Sequence, residues 1–86
     1  MTVTSEAPVR VRLFARYAEL LGFEELALAP PTAKSVGAVL AHLRALPGGD
    51  RLPDSPMVAV NLAHVRGDAS LAPGDEVALL PPLAGG

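Results

Sequence analysis

The chain contains no cysteine. That single absence removes disulfides, thiolate metal sites and cysteine nucleophiles. Aromatic residues amount to 3% and tryptophan is missing, so there is no row of rings on which bases can stack. The net charge is −2, and Arg10, Arg12, Arg16, Lys34, Arg44, Arg51 and Arg66 are scattered rather than striped. Nucleic acid is therefore not an expected partner. No apolar run approaches the roughly 20 residues that cross a bilayer. Met1 to Pro8 lacks the basic start and apolar stretch of a signal peptide. The expectation is a cytoplasmic protein without a membrane partner.

What is present suits one small domain. The chain has 86 residues, half of them hydrophobic, enough to fold alone around a small core. After a loose leader over 1–8, Val9-Arg10-Val11-Arg12-Leu13-Phe14-Ala15 alternates apolar and charged residues, the pattern of a half-buried strand. Arg16 to Gly22 reads as a short helical turn closed by glycine. Glu24 to Leu28 reads as a second strand, broken by Pro30-Pro31. Ser35 is a fitting N-cap for a helix running to about Leu46. Val36, Val39, Leu40 and Leu43 there form one apolar stripe. The segment 47–56 reads as a polar loop. Met57 to Asn61 follows as a buried strand, with Asn61 in a tight turn. Ala63 to Arg66 returns as a short strand, and Ala72-Pro73-Gly74-Asp75 turns the chain into a last strand, Glu76 to Leu80.

One helix covers only one face of a sheet, which leaves the other for solvent or a partner. The helix also separates the first hairpin from the later strands, so the last strand can lie parallel to the first. The expected fold is α+β, a ubiquitin-like β-grasp. It has a mixed sheet of four or five strands on one main helix (9–80), followed by a flexible, extended tail (81–86).

Within the body no catalytic constellation assembles. His42 and His64 lie apart at positions expected to be solvated, with no metal site implied. Leu46-Pro47-Gly48-Gly49-Asp50 lacks the spacing and lysine of a phosphate loop. Asp75 is better explained by turn chemistry than by catalysis. The tail differs. Two prolines stiffen it, two glycines end it, and its six residues after Leu80 span about 20 Å when extended. Such a segment is either a frayed terminus or a peptide built for insertion, where glycine permits close backbone approach.

The combination of Val11-Arg12-Leu13-Phe14-Ala15, Ala18-Glu19-Leu20-Leu21-Gly22, Val58-Ala59-Val60-Asn61, Gly74-Asp75-Glu76-Val77-Ala78 and Pro81-Pro82-Leu83-Ala84-Gly85-Gly86 resembles the small-subunit family of molybdopterin synthase, the ubiquitin-like sulfur carriers. The resemblance runs from Val9 onward. It departs in the leader, in the proline-rich loop 47–56, and at Leu79-Leu80, where aromatic residues are common.

It implies a carrier that is not an enzyme on its own. An adenylating, E1-like activating enzyme uses ATP and Mg²⁺ on the terminal Gly86, and a sulfur donor protein converts the adenylate to a thiocarboxylate. A large catalytic subunit then takes the sulfur for the dithiolene made from precursor Z (cyclic pyranopterin monophosphate). No cofactor is implied on the isolated chain. Gly86 is the modified residue, Gly85 and Ala84 thread the partner's channel, and Leu80, Pro81, Pro82 and Leu83 meet the partner. Carriers for thiazole synthesis or tRNA thiolation, and ubiquitin-like modifiers, are the competing assignments. A plain interaction module is the remaining one.

Overall fold

Alternation along the first segment does produce a strand, but it stops at Leu13, short of Phe14 and of Ala15, whose φ is 50°. In the computed structural model, which describes residues 7–81, β1 (Val9–Leu13) buries Val9, Val11 and Leu13 and exposes Arg10 and Arg12. Residues 1–6 of the expected leader, and Pro82, Leu83, Ala84, Gly85 and Gly86 of the expected tail, lie outside the described residues. α1 (Arg16–Leu21) ends at Gly22, left-handed at φ 85° with its N–H on the Ala18 carbonyl. β2 (Glu25–Leu28) then pairs antiparallel with β1.

α2 (Val36–Arg44) opens at Ser35, whose side chain accepts from the Ala38 N–H at 3.1 Å. Val36, Val39 and Leu43 of its stripe are buried, each contributing on the order of 1.5–3 kcal/mol. The helix stops at Arg44, short of Leu46. The Ala45 N–H is shared between the Ala41 and His42 carbonyls, and the Leu46 N–H reaches only three residues back, to Leu43. Such tightening closes a helix, and Pro47 follows.

β3 (Met57–Val60), β4 (Ala63–Val65) and β5 (Glu76–Leu80) complete a five-stranded sheet in the order β2-β1-β5-β3-β4. β5 lies parallel to β1, and the other pairs are antiparallel. The expected β-grasp is the observed fold. Asn61 and Leu62 turn β3 into β4 with φ of 50° and 72°, the pair of positive values that a two-residue hairpin turn requires. Asparagine suits such a site; Leu62 was not legible as a turn residue.

The segment 47–56 corrects the expectation of a polar loop. One turn of 3₁₀ helix spans Gly49–Arg51, and Leu52 enters the core at 5% exposure. Gly48 sits at φ 86°, where any Cβ would strike the Leu20 carbonyl oxygen, and a Cβ on Gly49 would strike that of Leu43. This glycine pair is the contact that lets the loop pack against both helices. β3 is also less buried than expected: Val58 and Ala59 are buried, but Met57 is 43% exposed.

Candidate functional site

The side chains of β5 divide by alternation. Val77 and Leu79 enter the core opposite α2, while Glu76, Ala78 and Leu80 face the other way. Register extends that open face across the sheet. Arg12, Ala78, Ala59 and His64 form one row, and Leu80 stands opposite Met57 in the next. The open face thus has two ends of different chemistry.

At the end where β5 begins, Glu76 meets Arg12 at 3.3 Å and Arg10 at 3.7 Å. The three arginines near the N-terminus are therefore not a free cationic patch, since two of them share one carboxylate. These pairs are solvated, and such bridges contribute little to stability. At the end where β5 leaves the sheet, Leu80 is half-buried beside exposed Met57, and Phe14 is 37% exposed. The Arg12 guanidinium carbon lies 5.4 Å from the Phe14 ring centroid, within cation–π range. Phe14 and Met57 were missed from sequence. Their signal was present: Phe14 keeps the parity of Arg10 and Arg12, and Met57 has the parity opposite to core-facing Val58.

The start of β5 is held by residues from two of the motifs quoted above. Asn61 donates from Nδ2 to Asp75 Oδ1 at 2.9 Å, and its Oδ1 accepts from the Glu76 N–H at 3.0 Å. Asp75 Oδ2 accepts from the Ala72 N–H at 2.8 Å, and the Asp75 carbonyl accepts from the Arg10 N–H at 2.9 Å. The Ala72 N–H first, and the Asn61 amide second, hold the Asp75 carboxyl below the usual carboxylate range. Asp75 is thus a turn carboxylate, as its place in the sequence implied.

Other polar groups are likewise spent on structure. Asp68 accepts from the Gly37 N–H at 2.6 Å at the start of α2. That bond first, and Ser35 second, lower its pKa against the opposing effect of burial. Arg44 donates to the Pro53 and Asp54 carbonyls. A hollow of about 310 Å³ between α2 and β3–β4 is bordered by these committed groups. His42, half-buried on α2, and exposed His64, on β4, lie on separate elements. Among the described residues no group of three or more His, Cys, Asp or Glu is arranged to hold a metal ion. No helix among them is long and apolar enough to cross a membrane.

The site residues expected from sequence divide at residue 81. Leu80 is on the open face, with Arg12 and His64 on the same face. Pro81 follows it outside any strand, half-buried. Pro82, Leu83, Ala84, Gly85 and Gly86 lie beyond the described residues.

A family model described as the ThiS family matches residues 11–86. The chain belongs to the ThiS family. Within it, the chain is 31% identical over 84 residues to the molybdopterin synthase sulfur carrier subunit of Arabidopsis thaliana, covering 96% of this chain and 88% of that protein. Among solved structures it is similar to SAMP1 from Haloferax volcanii, with TM-score 0.77, 29% identity, and 93% and 100% of the two chains covered. It is also similar to a chain of the complex of subunits 1 and 2 of molybdopterin-converting factor from Helicobacter pylori. There the TM-score is 0.70 and the identity 25%, with 92% and 99% covered. The ThiS-family match contains both Gly-Asp-Glu-Val and the terminal Gly-Gly.

Proposed function

We propose that this member of the ThiS family is the sulfur carrier subunit of a molybdopterin synthase. The observation that supports it best is the apolar end of the open face, Phe14, Met57 and Leu80. It stands at the root of a segment that ends Gly85-Gly86. A docking surface and an acyl-bearing tail that emerge together let one partner bind the body while it takes the tail into its own site.

In this reading the body holds the tail and the chemistry belongs to partners. An activating enzyme, using ATP and Mg²⁺, joins a Gly86 carboxylate oxygen to the α-phosphorus with loss of pyrophosphate. Hydrosulfide released by a donor protein attacks the carbonyl carbon, the carbon–oxygen bond to AMP breaks, and the sulfur loses its proton to solvent. The resulting thiocarboxylate is presented to the large catalytic subunit, where its sulfur passes to precursor Z. Gly85 and Ala84 thread the channel without bulky side chains. Pro81 and Pro82 limit the entropy lost when the segment is ordered, and Leu80 with Leu83 supplies apolar contact. The chain alone is not an enzyme and binds no cofactor of its own.

A second reading, a protein modifier joined through Gly86 to amines, is favoured by the similarity to SAMP1, since its counterpart from Methanosarcina acetivorans is described as a small archaeal modifier protein. Reconstitution separates the two. Thiocarboxylated chain, a molybdopterin synthase large subunit and precursor Z are expected to yield molybdopterin. Failure there, with sulfur transfer in thiazole or tRNA-thiolation assays or with isopeptide adducts alone, overturns the leading assignment.

A further inference from the structure

A chain whose end becomes an acyl donor has to coexist with its own nucleophiles, and here they are few. There is no cysteine, and six of the seven basic residues are arginine, leaving Lys34 as the only lysine. Arginine stays protonated in proteins and is not an amine acceptor. Besides the α-amine of Met1, Lys34 is the one amine an activated Gly86 meets on another copy of the chain.

The fold puts Lys34 at the end of β5 opposite Leu80. β1 and β5 run parallel toward Leu13 and Leu80. β2 runs back from Glu25, opposite Arg12, to Leu28, opposite Val9. Lys34 follows Leu28, and its carbonyl accepts from the Leu71 N–H, upstream of β5. It therefore sits at the pole where β5 begins. On its own chain Lys34 is separated from Leu80 by the length of β5, about 13 Å. Lys34 is exposed, and its ammonium makes no ion pair among the described residues. It also lies away from Phe14, Met57 and Leu80, so a partner seated on those residues leaves it open.

Resting on the reading above that Gly86 becomes an acyl donor, we propose that Lys34 is an acceptor site for the activated tail of a second copy of this chain. The deprotonated ε-amine attacks the Gly86 carbonyl carbon of the acyl adenylate. The carbon–oxygen bond to AMP breaks, the nitrogen loses a proton to solvent, and an isopeptide bond remains. The nucleoside triphosphate consumed in activation supplies the driving force, and no oxidant or reductant is needed. The acceptor copy keeps its own Gly86 and the donor copy its own Lys34, so the same bond can extend the product into a head-to-tail chain.

The test is to express the full chain with a lysine-free N-terminal tag in its own cells and map purified species by mass spectrometry. Trypsin cuts after Arg16, Arg44 and Arg66 but not after an acylated Lys34. The expected product, from species of twice the chain's mass or more, is a branched peptide joining residues 17–44 to 67–86; the branch in species of single-chain mass alone overturns the proposal. Lys34→Arg should abolish the homopolymer ladder while leaving the thiocarboxylated fraction unchanged. A ladder that persists in Lys34→Arg overturns the proposal. So does thiocarboxylated Gly86, or Gly86 on other proteins, without the Lys34 branch; in that case the activation of Gly86 stands. If Gly86 is neither thiocarboxylated nor conjugated, both readings fall.

Discussion

Asn61 and Asp75, 14 residues apart in sequence, bind one another at 2.9 Å and tie the β3–β4 turn to the start of β5. The Asn61 N–H also donates to the Glu76 carbonyl at 2.8 Å. One asparagine thus positions the strand that leads to Leu80. Replacing it by alanine removes both side-chain bonds and leaves a left-handed residue without its preferred chemistry. Asn61→Ala should destabilise the domain by about 1–2 kcal/mol. Each kcal/mol corresponds to roughly 4–8 °C in Tm for a domain of this size, measurable by thermal unfolding.

Acid should reveal the same network. Asp75 and Asp68 both have lowered pKa values in the fold. A depressed carboxylate stabilises the native state above its unfolded pKa of about 3.9, and that stabilisation is lost as pH falls through the lower folded value. Stability of the wild type should therefore decline below about pH 4. In Asp75→Asn the decline should be shallower, as read from denaturant midpoints against pH. An equally steep decline in the variant would show that Asp75 contributes nothing to the acid limb.

The glycine contacts predict an ordering. At Gly22, φ 85°, a Cβ meets nothing within 4 Å, whereas at Gly48, φ 86°, it meets the Leu20 carbonyl oxygen. Both alanine variants bear the strain of a left-handed backbone, about 1–2 kcal/mol. Only Gly48→Ala must also displace α1 from the loop. It should therefore be the less stable of the two in urea unfolding.

The open face should matter for docking more than for folding. Leu80→Asp and Met57→Asp each place a charge in the apolar end without touching the core. Each should weaken binding to a molybdopterin synthase large subunit by tenfold or more, about 1.4 kcal/mol. Unfolding midpoints should shift far less. Calorimetric binding beside thermal unfolding checks both, and unchanged binding would remove this surface from the interface.

On the proposed function, deletion of Gly86 should abolish activation by an adenylating enzyme, read as pyrophosphate release, and leave Tm unchanged. Loss of folding in that variant would contradict the separation of body from tail.

Much of this protein was local and therefore readable. Alternation at Val9–Leu13, the Ser35 cap and the Gly74 turn into the last strand each depend on residues within a few positions. The period of side-chain direction is a property of the strand itself. The resemblance carried by Gly-Asp-Glu-Val and the Gly-Gly end also lies in the string of residues, and so does the solitary Lys34. What sequence could not contain was the partner across each gap. Leu52 entered the core because Gly48 and Gly49 let the loop touch Leu20 and Leu43. Arg10 and Arg12 shared Glu76 because β5 lies parallel beside β1. Leu80 acquired Met57 as its neighbour only once β3 took its place on the other side of β5. Local periodicity sets which way a side chain points. Strand order, decided by closing long loops around a shared core, sets what it finds there.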